Sequence, residues 1–129
     1  MDYLLDTHTL IWAATNVSRL GKRAAALIAD QANMLAVSAA SAWEIATKVR
    51  IGKLPEALLL ESDFESSVQK AGYLLLPIST AVALRAGRMQ NQHKDPFDRM
   101  IAAQALALDI PVLSADPNLN SFGARRVWD

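Results

Sequence analysis

The chain has 129 residues, 52% hydrophobic and 20% charged, which excludes a disordered chain and suits one domain with a real core. Its 13 basic and 13 acidic side chains cancel, so net charge does not mark a strongly basic nucleic-acid binder, though a basic rim around an acidic site stays compatible. Cysteine is absent, which excludes disulfides and thiolate metal ligands and is compatible with a reducing cytoplasm.

Met1 to Leu5 carries no basic region followed by a long apolar stretch, so a signal peptide is not expected. No apolar run approaches the roughly 20 residues of a membrane span. A cytoplasmic protein without a membrane partner is expected. No repeat, low-complexity stretch or linker divides the chain, so residues 1–129 read as a single domain.

In chain order, Tyr3-Leu4-Leu5 reads as a buried strand ending at Asp6, and Thr7 to Ala14 as a helix. Lys22 to Ala32 is a helix with Ala24, Leu27 and Ile28 at helical spacing. Met34 to Val37 reads as a second buried strand. Ser38 caps a helix from Ala39 to Ile51, with Gly52 as its stop. Leu54-Pro55-Glu56 turns the chain. Ser62 to Ala71 reads as a helix ended by Gly72, and Tyr73 to Leu76 as a third strand stopped by Pro77.

Ser79 or Thr80 caps a helix reaching about Met89, and Gln90 to Lys94 is a polar loop. Asp95-Pro96 opens the clearest helix of the chain, with Pro at its first position, running to about Leu108. Val112-Leu113-Ser114 reads as a fourth strand and Arg126-Val127-Trp128 as a short fifth. The strands are continuous apolar runs, as in doubly covered parallel sheets. The expected fold is α/β, a parallel central β-sheet flanked by α-helices in three layers.

Sites in such sheets form beyond the carboxyl ends of the strands. Asp6 and Asp116 each follow an apolar run, so this rule sets them on one edge. Asp98 lies in the first turn of the helix opened by Asp95, and Glu44 lies near the start of the helix after Ser38. Four carboxylates brought together raise one another's pKa values unless something compensates. A hard divalent cation, Mg²⁺ or Mn²⁺, is the natural compensation, and it polarises a phosphodiester and activates water. Each acid also has an ordinary structural reading. Asp95 and Asp98 suit a helix N-terminus, Asp116-Pro117 suits a turn, and Glu44 with Lys48 suits an i,i+4 pair.

Beyond spacing, the chain resembles the PIN-domain family, specifically the VapC-like toxin ribonucleases of type II toxin–antitoxin systems. Leu5 to Trp12 (LDTHTLIW) resembles the opening motif, Ser38 to Leu54 (SAASAWEIATKVRIGKL) the second, Asp95 to Ala105 (DPFDRMIAAQA) the third and Val112 to Pro117 (VLSADP) the fourth. The match runs in order from about Asp2 to Trp128. It implies that Asp6, Glu44, Asp98 and Asp116 form the catalytic, metal-binding set, with Asp6 and Asp98 the first choices as ligands. It implies hydrolysis of RNA by an Mg²⁺- or Mn²⁺-dependent endoribonuclease, a cognate antitoxin covering the groove, and a homodimer. Thr7, Ser114 and Asp95 are expected to support the site by hydrogen bonding. Ser114 stands where relatives often have Thr, and the loop Met89 to Lys94 lacks a Pro common there. Neither departure removes a ligand.

Lys48, Arg50 and Lys53 form one basic cluster, and Arg85, Arg88, Lys94 and Arg99 another. They read as solvated faces or, where they flank the acids, as phosphate contacts, with Lys48, Arg50 and Arg99 the candidates. His8 and His93 read as surface or turn residues, and Trp12, Trp43 and Trp128 as packing residues. Two rivals stay open. A phosphoryl-transfer, receiver-like domain fits the size, but Asp6 is followed by Thr7-His8 where receivers carry paired acids. A non-catalytic protein-interaction module on the same scaffold would tolerate loss of the acids.

Overall fold

The continuous apolar runs form the strands of one sheet. The computed structural model describes residues 1–90 and 93–129. In it β1 (Tyr3–Leu5), β2 (Leu35–Ser38), β3 (Leu74–Leu76), β4 (Val112–Leu113) and β5 (Arg126–Val127) pair in parallel, in the order β3-β2-β1-β4-β5. Leu5 stands opposite Val37 on one side and Leu113 on the other. The carboxyl ends of the three central strands are therefore level, and whatever follows them shares one edge.

Alternation along each strand splits the core in two. Leu5, Val37 and Leu113 face Leu10 and Ile11 of α1 (Thr7–Thr15), Ile45 of α3 (Ala39–Arg50), Leu60 of α4 (Leu58–Ser62) and Val68 of α5 (Phe64–Lys70). Leu27 and Ile28 of α2 (Lys22–Ala29) flank the same face. On the other face Leu4, Ala36 and Val112 meet Ile101, Ala102 and Ala105 of α7 (Pro96–Leu108) and Leu119 of α8 (Asn118–Ser121). The helix α6 (Thr80–Arg88) packs along α7. The result is a three-layer α/β/α domain, with eight α-helices among the described residues.

Local chemistry accounts for most boundaries. The Ser38 and Ser79 hydroxyls accept from Ala40 N–H and Val82 N–H, capping α3 and α6. Gly52 (φ 77°) and Gly72 (φ 85°) take the left-handed backbone that lets the chain leave α3 and α5. Most boundaries fall within one residue of the sequence reading, and three places differ by more. α2 stops at Ala29 because the Asp30 carboxylate accepts from Ala32 N–H at 2.9 Å and turns the chain. The expected turn at Leu54-Pro55-Glu56 continues as a 3₁₀ turn, Pro55–Ala57, and then as α4, which buries Leu60. The helix expected from Ser62 begins at Phe64 instead. The short α8 and a 3₁₀ turn at Val17–Arg19 were not expected. Of the polar loop at Gln90 to Lys94, Asn91 and Gln92 lie outside the described residues.

Leu5 is fully buried at the centre of the first core cluster. Leu5→Ala is expected to lower the unfolding free energy by about 3 kcal/mol, the middle of the range for such truncations. Urea denaturation checks this, and a loss below about 1 kcal/mol would contradict the packing described.

Candidate active site

The level strand ends carry the acids. Asp6 follows β1 directly and caps α1, its Oδ1 accepting from Thr7 N–H at 2.8 Å. Its own N–H donates to the Leu113 carbonyl at 3.1 Å, which ties it to the end of β4. Its other oxygen, Oδ2, accepts from the Ser114 hydroxyl at 2.7 Å. The same hydroxyl accepts from Asp116 N–H at 3.0 Å. One Ser side chain thus ties together the first and last of the four candidate site acids. The Asp116 carboxylate accepts from Asn118 N–H at 2.9 Å, as in an Asx turn.

Glu44 is brought in by α3. The Thr7 and Ser41 hydroxyls share a 2.9 Å hydrogen bond that fastens α3 to α1. Glu44 is 3% exposed, and its Oε2 pairs with the Lys48 ammonium one turn on. Its Oε1 is buried without a hydrogen-bond partner among the described residues. Asp98 comes from the first turn of α7, where Asp95 Oδ1 accepts from Phe97 N–H (2.9 Å) and Asp98 N–H (3.2 Å). Trp43 of α3 meets the Phe97 ring edge-on at 4.6 Å, holding the two helices together. Asp98 Oδ2 lies 2.8 Å from His93 Nε2.

All four sequence-identified acids line one cleft of about 410 Å³, together with Asp95 and Glu56. Lys48, Arg19, His8 and Trp12 complete much of its wall. The Arg19 guanidinium lies 4.6 Å from the centre of the Trp12 ring. Of the residues expected to support the site, Thr7, Ser114 and Asp95 make the hydrogen bonds given above. Of the three expected phosphate contacts, Lys48 lines the cleft. Arg50 is exposed in the last turn of α3. Arg99 donates to the carbonyls of His93, Ala86 and Met89.

The sequence reading passed over His93, Arg19, Trp12, His8 and Glu56 as site residues. For His93 a signal existed. A residue two positions before the Asp95 cap has to lie near the helix terminus that carries Asp98. Arg19 sits on a 3₁₀ turn that no sequence pattern announced, and Glu56 on the turn expected at Leu54-Pro55-Glu56, whose place beside the cleft no local pattern gives.

Crowding of like charge shows in the titration of these groups. Burial pushes Asp98 up to about 7, against the His93 hydrogen bond and reinforced by the charges of Asp6, Asp95 and Asp116. Burial also raises Asp6, against hydrogen bonds from Ser114 and Thr7 and with help from the Glu44 charge. Burial alone would lower Lys48, but its hydrogen bond to Glu44 and the charges of Glu44, Asp95 and Asp98 outweigh this and hold it above its usual value.

This donor set fits a hard divalent cation. Carboxylate oxygens dominate it, a buried glutamate oxygen lacks a partner, and mutual repulsion disfavours the empty charged state. His93, Asp98 and Asp116 each offer a ligand atom within 4.8 Å of the others.

The sequence model of the PIN domain matches residues 3–124, so the chain belongs to the PIN domain family. Three solved structures resemble it over almost its whole length. FitAB bound to an IR36 DNA fragment superposes with a TM-score of 0.67 at 19% identity, covering 97% of this chain and 93% of that one. VapBC2 from Rickettsia felis, bound to a DNA fragment from its promoter, gives 0.67 at 16%, covering 100% of both chains. FitAcB from Neisseria gonorrhoeae gives 0.67 at 20%, covering 96% of this chain and 95% of that one. At such identities the likeness establishes the fold alone. No curated protein matches the chain.

A raised carboxylate pKa makes the folded state bind protons that the unfolded state has released. Stability without added metal should therefore fall as pH rises from about 4 to about 7, then level off. Thermal melts in EDTA across this range check the sign. Asp98→Asn should flatten the slope, and excess Mg²⁺ or Mn²⁺ should raise the melting temperature most at the alkaline end. A melting temperature that climbs between pH 5 and pH 7 in EDTA would contradict the account.

Proposed function

We propose that this protein is a divalent-cation-dependent endoribonuclease, the toxin half of a toxin–antitoxin pair. The observation that carries this reading is the convergence of Asp6, Glu44, Asp98 and Asp116, from four separate elements, on one cleft at the carboxyl edge of the sheet. Membership of the PIN domain family supports it. The solved relatives, named as two-component assemblies, support a partner protein for this chain.

Asp6 and Asp98 are the principal ligands in this mechanism, and Glu44 and Asp116 complete the set. A bound Mg²⁺ or Mn²⁺ supplies Lewis-acid polarisation of the phosphodiester and lowers the pKa of water. Lys48 and Arg19, the cationic members of the wall, hold substrate phosphates, with Arg50 reaching phosphates further along α3. Asp95 fixes the first turn of α7 and so the aim of Asp98. Ser114 fixes Asp6 against Asp116. In the overall reaction a water oxygen bonds to phosphorus, the bond from phosphorus to the leaving oxygen breaks, and a proton ends on that oxygen.

Exposed apolar side chains provide surface for an antitoxin and a second copy of the chain. Leu59 on α4 is 84% exposed and Trp43 on α3 is 54% exposed. None of the helices among the described residues is long and apolar enough to cross a membrane. The reading places the protein with its RNA in the cytoplasm.

Purified protein is expected to cut RNA internally with Mg²⁺ or Mn²⁺ and to stop in EDTA. Asp6→Asn and Asp98→Asn should each lose more than the roughly 10–100-fold that removal of a supporting group costs, and Ser114→Ala should fall within that range. Folding is monitored by circular dichroism. Cleavage by Asp6→Asn at the parental rate in clean preparations would defeat the assignment.

A further inference from the structure

His93 was read from sequence as a surface or turn residue, yet it is held where a metal ligand would stand. Its backbone carbonyl accepts from Arg99 Nε at 3.0 Å. Its ring rests against Phe122, with centroids 5.5 Å apart. These contacts from α7 and the turn after α8 fix the imidazole before any ion arrives. Nε2 points at Asp98 Oδ2, 2.8 Å away, and with Asp116 the three residues present ligand atoms within 4.8 Å of one another.

Adjacent ligand atoms around an octahedral ion with bonds of about 2.1 Å stand about 3 Å apart. The His93–Asp98 pair already has that spacing. On the cleft that Asp98 and Asp116 line, Glu44 is nine-tenths or more buried and its Oε1 has no hydrogen-bond partner among the described residues, so a further oxygen donor is available to an ion there. An imidazole in a carboxylate set matters to the choice of ion. Mg²⁺ takes oxygen ligands and dehydrates reluctantly, whereas first-row transition ions accept nitrogen readily.

We propose that His93 is a ligand of the divalent cation beside Asp98 and Asp116, and that this nitrogen biases the site toward a first-row transition ion over Mg²⁺. The inference rests on the metal-site reading given under the proposed function. It requires no substrate, so its test is separate from RNA cleavage.

The probe is Mn²⁺ alone, bound to the full chain and observed by pulsed electron paramagnetic resonance. The expected spectrum shows hyperfine coupling to a histidine nitrogen, identified by isotopic labelling of the histidines. The chain has two histidines, and the other, His8, lines the cleft. His93→Ala should remove the coupling and His8→Ala should keep it. By titration, His93→Ala should weaken Mn²⁺ about tenfold or more and Mg²⁺ less. If His93→Ala fails to fold, the coupling in His8→Ala decides alone, because His93 is then the remaining histidine.

Bound Mn²⁺ without histidine coupling overturns the proposal, as does coupling lost in a folded His8→Ala. Metal-dependent RNA cleavage without the coupling removes this inference and leaves the nuclease reading standing. A nitrogen-coupled ion in a protein that never cuts RNA does the reverse. Failure to bind Mn²⁺ at millimolar concentration overturns both.

Discussion

Repulsion between carboxylates is the constraint around which the rest of this protein is arranged. Six acids line one cleft among the described residues, and several are buried. Left to themselves they would move apart or take up protons. The fold prevents the first by anchoring the principal acids through backbone or neighbouring side chains. Asp6 caps α1 and is bound by Ser114. Asp116 is turned by Asn118, and Asp98 is aimed by Asp95. The second response is visible in Asp98, whose ionisation burial pushes up to about 7. A cleft built this way is a poor resting place for protein charges alone and a good one for a multivalent cation.

The scaffold makes this tension tolerable because the strain is local. The two apolar clusters on either face of the sheet lie behind the acidic edge. Leu5 and Leu113 are fully buried, and the acids begin at the very next residue or shortly after. The transition from core to site takes one peptide unit. Small hydroxyl side chains fill that boundary, with Thr7 bonded to Ser41, Thr9 to the Leu113 carbonyl and Ser114 to Asp6. They satisfy polar atoms that would otherwise be stranded between a hydrocarbon interior and a charged cleft.

Much of this was legible in the sequence. Apolar runs ending in Asp6 and Ser114, the Ser38 cap and the Asp95-Pro96 helix start are short-range signals, and the structure places elements at each of them. The parallel sheet followed from strands without alternation. The illegible parts depended on distance. No local pattern says that α1 and α3 are joined through Thr7 and Ser41, or that Trp43 meets Phe97. The Leu58-Leu59-Leu60 run became a helix because one of its faces found the core at Leu60, a tertiary reason. The contact of His93 with Asp98 was not legible because a loop histidine carries little information until the helix beside it is placed.

The strand order also dictates when the cleft comes into being. β1 is made early but pairs with β2 and β4, and β4 ends at Leu113. Asp6 acquires its Ser114 neighbour, 108 positions away, only once β4 has been made and pairs with β1, a non-local contact. The cleft is thus a property of the closed sheet rather than of any one stretch of the polypeptide.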